Sequence, residues 1–311
     1  MSLVINTNLM ALNANRNLGD AYDRLGVSTR RLSSGLRVGT AADDAAGLAI
    51  RELMRADVAS MKQGMRNAND AVSMIQTADG ALQVIDEKLI RMKELAEQAS
   101  TGTYNSDQRL IIDSEYQAMA SEITRIANAT KFNGIYLLNG NLSVSMDNNN
   151  PASWGNDHDG RGIVSQGPLK VHFGTGNDVK EDYYYISIGN STASALGLGS
   201  SRDISGDITA GHNISTQASA QAALDAINEA IVSKDKMRAS LGALQNRLEN
   251  TITNLNIQTE NLQAAESRIS DVDVASEMTE FVRNQILTQG AVAMLSQANS
   301  LPRMAMQLIQ G

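Results

Sequence analysis

The sequence of this 311-residue chain contains no cysteine, three phenylalanines, one tryptophan and three prolines. Without cysteine, the chain can form neither disulfides nor thiolate metal sites. Because aromatic residues make up 4% of a chain that is 42% hydrophobic, its core must consist of Ala, Leu, Ile, Val and Met. Small aliphatic residues of this kind suit helices that approach closely along a long seam.

Basic stripes and long apolar runs are also lacking. The net charge is −8 and the pI is near 5.0, so we expect no nucleic-acid partner. No stretch approaches the roughly 18 consecutive apolar residues of a membrane span, so we expect no membrane insertion. The first residues have neither a basic region nor an apolar core, so we expect no cleaved Sec signal and, for a secreted protein, another export route.

What the sequence does contain is heptad spacing, and the first example lies near the N-terminus. Apolar residues recur there every seven positions, at Val4, Ala11, Leu18, Leu25 and Leu32. The pattern stops at Ser33-Ser34-Gly35, which predicts a helix C-cap. A helix with so narrow an apolar stripe is only marginally stable alone in water, so we expect it to need partners.

The longest heptad pattern predicts a second helix that ends near Gly102. One register contains Met54, Met61, Ala68, Ile75, Leu82, Leu89 and Ala96, and the other contains Ala71, Ala78, Ile85, Met92 and Ala99. Such a helix is about 65 Å long at about 1.5 Å per residue. Ser106 is the expected cap of a third helix, and Asn133-Gly134 predicts a turn after it.

The C-terminal third of the chain has the same kind of spacing. Strict heptad positions are occupied by Leu241, Leu248, Leu255, Leu262 and Ile269. A later stripe contains Leu287, Met294, Leu301 and Leu308, with Ala291, Ala298 and Ala305 interleaved. Pro302 lies inside that stripe, so we expect a kink or a new helix start near Ser300.

Between the helical ends, residues 135–215 are rich in Gly, Asn, Ser and Asp. Leu169, Val171 and Phe173 alternate with polar residues, and a returning strand follows a Gly-rich turn, which predicts a β-hairpin. The predicted fold is therefore mainly α, with long antiparallel coiled-coil-like helices from both termini and a small β-hairpin insertion. Because helical segments flank this insertion, we expect the two terminal segments to pair.

No constellation of side chains in the sequence points to catalysis. The three histidines, His158, His172 and His212, are far apart, and no His-Glu-x-x-His helix is present. Asp157 begins a segment that is similar to a calcium loop, but Pro168 occupies the position where a glutamate ligand is required. We therefore expect no enzyme activity, no metal and no cofactor.

Several motifs at both ends closely resemble those of bacterial flagellins. At the N-terminal end they are VINTN at 4–8, ALNAN at 11–15, RLSSGLR at 31–37 and AADDAAGLAI at 41–50. At the C-terminal end they are SRISDVDVASEM at 267–278 and MLSQAN at 294–299, the latter followed by Pro302. Motifs in the same order at both ends make this resemblance specific.

The resemblance implies an extracellular subunit of the flagellar filament, which is exported unfolded by the flagellar type III route and serves swimming. It implies an inner core made of residues 1–42 and 272–311, a helical rod made of 43–140 and 215–271, and a hairpin and loop insertion at 141–214. The terminal helices of flagellins fold on polymerisation, so the stripe residues at both ends are the expected self-assembly contacts. They are Val4, Ala11, Leu18, Leu25, Leu32, Leu287, Met294, Leu301 and Leu308. Implied partners are further copies of the chain, an export chaperone, the filament cap and hook-associated proteins.

The string RMKELAEQ at 91–98 resembles the flagellin segment that the flagellin-sensing Toll-like receptor of hosts binds. This resemblance assigns receptor binding to Arg91 and Leu95, together with Glu115 in the following helix. The alternative is that these residues serve lateral contacts between subunits, and in flagellins the two roles overlap.

Three other interpretations remain open at this point. A hook–filament junction protein of the same superfamily would have degraded terminal motifs, whereas those of this chain are intact. A metallopeptidase variant with its catalysis in the insertion would need a zinc-binding motif that the sequence lacks, and elemental analysis for zinc would test it. A chemoreceptor-like helical hairpin is disfavoured because no membrane span is apparent.

Overall fold

The computed structural model describes residues 8–142, 167–178, 181–198 and 213–310, and of residues 301–303 and 305–310 it describes the backbone alone. Its helices are α1 (Leu9–Ser34), α2 (Ala45–Ser100), α3 (Ser106–Ala129), α4 (Gln217–Ser270) and α5 (Val274–Gln310). Its strands, all between α3 and α4, are β1 (Lys131–Phe132), β2 (Ile135–Tyr136), β3 (Leu169–His172) and β4 (Tyr183–Ile186). The predicted fold class, mainly α with a small β insertion, is confirmed.

The chain divides into two compact units. The first comprises Met1–Ala59 with Thr259–Gly311, and the second comprises Ser60–Gln258. The second unit contains α3, the strands, and most of α2 and α4. The three-part division implied by the resemblance stays a prediction.

Local signals define the ends of α1 and α3. Asn8 caps α1 with its side chain, and Gly35 ends the helix at a φ of 72°, as the sequence predicted. The cap of α3 is Asn105 instead of the predicted Ser106: its side chain and that of Gln108 each accept a hydrogen bond from the backbone N–H of the other residue. Because Asn and Ser are comparable caps, the sequence pattern alone did not distinguish two adjacent candidates.

The last helix does not restart where the sequence suggested. α5 is one helix from Val274 to Gln310, with Pro302 inside it. Proline removes a single N–H from the helix ladder, and the turns on either side carry the helix across that position. The predicted new helix start near Ser300 is therefore wrong.

The heptad registers of α2 form the core of the second unit. Every predicted position between Ala68 and Ala99 is at most 4% exposed. The same cluster includes Tyr116 and Ile123 of α3 and Leu241 of α4. Burying a Leu or Ile side chain contributes about 1.5–3 kcal/mol, so this seam is the main source of stability in the unit.

Two antiparallel hairpins follow α3. β1 pairs with β2 across Asn133-Gly134, where φ is 47° and 83°. The sequence predicted this turn but not its strands, which are two residues long. β3 pairs with β4, with Val171 opposite Tyr184, which confirms the predicted second hairpin.

The β3–β4 hairpin lies close against α2 at Gly64. A Cβ atom at this position would collide with the carbonyl oxygen of Phe173, so the approach requires glycine. On α4, the guanidinium of Arg247 lies 3.7 Å from the centroid of the Tyr184 ring, a cation–π contact. The hairpin therefore contacts both long helices of the second unit.

Candidate assembly surface on the terminal helices

Helices α1 and α5 pair in antiparallel orientation within the first unit. At one end, the Asn8 side chain donates a hydrogen bond of 2.8 Å to the carbonyl oxygen of Ala298. At the other end, the Arg31 guanidinium lies 3.6 Å from the Glu277 carboxylate. The predicted pairing of the two terminal segments is confirmed.

The seam between these two helices contains few large apolar side chains. The described stripe positions of α1, all half-buried, are Ala11, Leu18, Leu25 and Leu32. On α5 the buried positions are Asn284, Thr288 and Ala298. Val4 lies outside the described residues. Since so little apolar surface is buried, the pair is only marginally stable by itself.

The predicted stripe of α5 lies beside this seam and not within it. Leu287 is 50% exposed and Met294 is 65% exposed, whereas the interleaved Ala298 is 7% exposed. Ala298 therefore packs in the seam, whereas the larger side chains of Leu287 and Met294 remain on its flank. The side chains of Leu301 and Leu308 are not among those described.

Leu287 and Met294 line an open groove between α1 and α5. The groove has a volume of about 990 Å³, and Leu9, Met10 and Ile286 contribute further apolar side chains to it. Polar residues, among them Asp20 and Arg24, also line it. Large apolar side chains that are clustered and exposed mark an interaction surface, whereas scattered ones do not.

The same helices expose further apolar side chains outside this groove. They are Leu12, Tyr22, Val274, Met278, Val282, Val292 and Met304, each between 44% and 58% exposed. Val274, Met278 and Val282 are four residues apart, so they lie on one stripe of α5. The helix pair therefore presents two different apolar surfaces.

In the second unit, Arg91 joins α2 to α3 at the surface. Its Nη2 donates to Glu115 Oε1 at 2.8 Å, and its Nη1 donates to Glu94 Oε2 at 2.9 Å. The hydrogen bond with Glu115 is the main reason that the pKa of Arg91 is raised. Leu95 is 1% exposed, so its side chain is in the core and cannot itself contact a partner of the folded subunit.

The described residues contain no group of His, Cys, Asp or Glu side chains that could hold a metal ion. Within the same residues, no helix combines the length and the apolar character needed to cross a membrane. The Nε2 atom of His172 lies 2.9 Å from the carbonyl oxygen of Gly176, and its ring stacks on Tyr183, so it supports the hairpin turn. Asp157, His158 and His212 lie outside the described residues.

Two features were missed in the sequence. Leu9, Met10 and Ile286 line the groove, but they lie off the heptad positions and therefore gave no signal. Lys234 is buried, and here a signal existed: it stands seven residues before Leu241, on the strict register of α4. A lysine on an apolar register can indicate a buried ion pair.

Long paired helices with two exposed apolar surfaces are those of a structural protein that binds other protein chains. Comparison with known protein families identifies this class. Residues 5–143 match the bacterial flagellin N-terminal helical region, and residues 224–309 match the bacterial flagellin C-terminal helical region. The chain belongs to the bacterial flagellin family.

Relatives are similar over their full length. The flagellin of Halalkalibacterium halodurans is 39% identical over 308 residues, which are 99% of this chain and 100% of that protein. The flagellar filament 33 kDa core protein of Treponema phagedenis is 37% identical with the same coverage. The flagellin of Bacillus subtilis is 39% identical over 322 aligned residues, covering 98% of this chain and 99% of that protein.

Proposed function

We propose that this chain is a structural subunit of the bacterial flagellar filament and that it assembles with further copies of itself. The observation that carries the proposal is the apolar groove of the α1/α5 pair, in which Leu287 and Met294 are at least half exposed. The full-length similarity to a filament core protein supports it. Such a subunit acts outside the bacterial cell, in swimming, and has a structural role and not an enzymatic one.

The two apolar surfaces of the helix pair favour an open polymer over a closed dimer. When one surface of a subunit binds a different surface of the next, the contact repeats and generates a ring or a filament. We assign the groove to one side of this contact and the stripe with Val274, Met278 and Val282 to the other. Ala11, Leu18, Leu25 and Leu32 would act by holding α1 against α5. We assign Val4, Leu301 and Leu308 to the same assembly from their heptad positions in the sequence alone.

The weak seam between α1 and α5 fits a subunit that completes its folding on assembly. Helices with little buried surface gain most of their stability from partners, and here the partners are neighbouring subunits. A chain of this kind can be exported unfolded through the flagellar type III route. Its further partners would be an export chaperone, the filament cap and hook-associated proteins.

Electron microscopy of the purified chain after seeding or concentration, together with circular dichroism of the dilute chain, tests the proposal. We expect long uniform tubes and a helical signal that rises on assembly. The gain comes from α1 and α5, which have 26 and 37 residues. A soluble particle that never elongates would contradict self-assembly and would favour the hook–filament junction protein.

We also propose that Arg91, Leu95 and Glu115 belong to a site for the flagellin-sensing Toll-like receptor of hosts. Arg91 and Glu115 are 49% and 43% exposed in their side chains and can contact a partner directly. Leu95 would act from the core by holding α2 in place. The same exposed charges can serve lateral contacts between subunits, so both roles would use one surface.

Receptor activation by the monomeric Arg91→Ala variant tests this site. A hydrogen bond to a charged group contributes about 1.5–3 kcal/mol, so we expect activation to require at least about tenfold more protein. Exposed ion pairs add little stability, so the monomer should keep its fold. Arg125→Ala, which removes a 65% exposed guanidinium paired with Glu122 on α3, is the matched control. Undiminished signalling by Arg91→Ala would exclude Arg91 from the receptor site.

A further inference from the structure

Lys234 lies at a buried position of α4 whose neighbours in the same register are apolar. The buried positions of α4 up to Leu248 follow a spacing of three or four residues, apart from two gaps of seven: Ala220, Ala223, Ile227, Ala230, Lys234, Leu241 and Leu248. The Lys234 side chain is 2% exposed. Because removing an ammonium group from water is costly, a lysine at such a position requires carboxylate partners.

Two carboxylates supply those partners, and a second ion pair lies nearby. Lys234 Nζ donates to Asp86 Oδ1 of α2 at 2.5 Å and lies 2.7 Å from Asp235 Oδ1. Four residues further along α4, Arg238 Nε donates to Asp79 Oδ1 at 2.7 Å. Two cations of α4 therefore meet two carboxylates of α2 that are seven residues apart.

The apolar seam alone does not define how far α4 lies along α2. Residues 68–99 of α2 repeat Ala, Ile, Leu and Met every seven positions, so a displacement of seven residues again brings apolar side chains together. The charged pairs repeat only in part: after a displacement of seven residues, one of the two cations meets a carboxylate of α2 and the other does not. Displaced in one direction, Lys234 would face Lys93; displaced in the other, Arg238 would face Val72.

We propose that Lys234–Asp86 and Arg238–Asp79 form a register lock, a set of two ion pairs that selects one alignment of α4 on α2. Polar groups on the apolar seam of a coiled coil can fix its register at a cost in stability. The lock disfavours the displaced alignments because each leaves one of the two cations without a carboxylate partner on α2. It acts on folding of the second unit and does not depend on polymerisation.

Distances between two spin labels test the lock, because the chain contains no cysteine to interfere with labelling. Suitable sites are Gln76→Cys on α2 and Asn228→Cys on α4, since both side chains are exposed. A displacement of seven residues changes their offset along the helix axis by about 10 Å. The full-length chain, refolded from denaturant, should give one distance.

The main variant replaces all four charged residues: Lys234→Leu, Asp86→Leu, Arg238→Leu and Asp79→Leu. We expect a second distance after refolding. The midpoint of thermal unfolding should change little, because apolar replacement of a buried ion pair such as that of Lys234 is often neutral or stabilising, and the Arg238–Asp79 pair, whose side chains are 34% and 40% exposed, contributes little. A single distance equal to that of the unaltered chain would overturn the proposal.

A second variant keeps the net charge and moves the pair of carboxylates on α2 by one heptad. Asp79→Lys combined with Lys93→Asp should shift the distance between the labels, because both cations of α4 then face carboxylates in the displaced alignment, whereas the original alignment places Arg238 against the new lysine. The matched control exchanges an exposed pair of α3, Glu122→Arg with Arg125→Glu, and should leave the distance unchanged. Retention of the original distance in the first variant, or the same shift in the control, would overturn the register lock.

Discussion

Replacing Met294 by aspartate prevents filament formation while the free subunit keeps its fold. Met294 is 65% exposed in the subunit, so a carboxylate at this position stays hydrated before assembly. In the filament we propose, the groove is covered by a neighbouring subunit, and burying an unpaired carboxylate costs several kcal/mol. A cost of about 3 kcal/mol raises the protein concentration needed for assembly about a hundredfold.

Sedimentation and electron microscopy across a concentration series measure this effect, and circular dichroism verifies that the dilute variant keeps the helical signal of the dilute unaltered chain. Met294→Leu is the control, because it retains an apolar side chain of similar volume and should assemble normally. Normal filaments from Met294→Asp at the usual concentration would exclude Met294 from the contact between subunits.

In the second unit, Gly64→Ala is expected to lower the free energy of unfolding by about 1–3 kcal/mol, the usual range for an overpacked site. The added methyl group meets the backbone of Phe173, which moves only together with the β3–β4 hairpin. For a unit of this size, each kcal/mol shifts the midpoint of thermal unfolding by about 2–4 °C.

Gly80→Ala, in the same helix, is expected to raise the free energy of unfolding instead of lowering it. Nothing lies within 4 Å of a Cβ atom added at Gly80, so alanine should stabilise α2 by about 0.5–1 kcal/mol through its higher helix propensity. Calorimetry of both variants distinguishes the two sites. Equal stabilisation by both would show that the hairpin does not rest on Gly64.

The sequence predicted α2 well because the face defined by its heptads is the face that is buried. Ile75, Leu82 and Leu89 are 1% exposed or less, so spacing and burial coincide. Gly35 was predicted for a different reason. The residue that ends a helix often adopts a left-handed backbone conformation, which strongly favours glycine, so glycine at this position indicates the end of a helix without information from the rest of the chain. Signals of these two kinds depend on few other parts of the chain.

The roles of individual side chains on the terminal helices were harder to predict. Heptad spacing identifies a stripe, but it does not tell whether that stripe meets a helix of the same chain or of another. Leu18 of α1 therefore lies at the seam, whereas Leu287 and Met294 of α5 lie on its flank. Leu95 illustrates a second limit. Similarity to a known motif identifies the residue type at a position, but it does not show whether the side chain is exposed.

The hydrogen bond between Asn8 and Ala298 joins residues that are 290 positions apart. In the unfolded export that we propose, whichever of the two helices emerges first must wait for nearly all of the remaining chain before it can pair with the other. The groove does not exist until both are present. The groove thus forms only when export is complete, and a subunit still in transit does not yet offer this side of the contact to its neighbours.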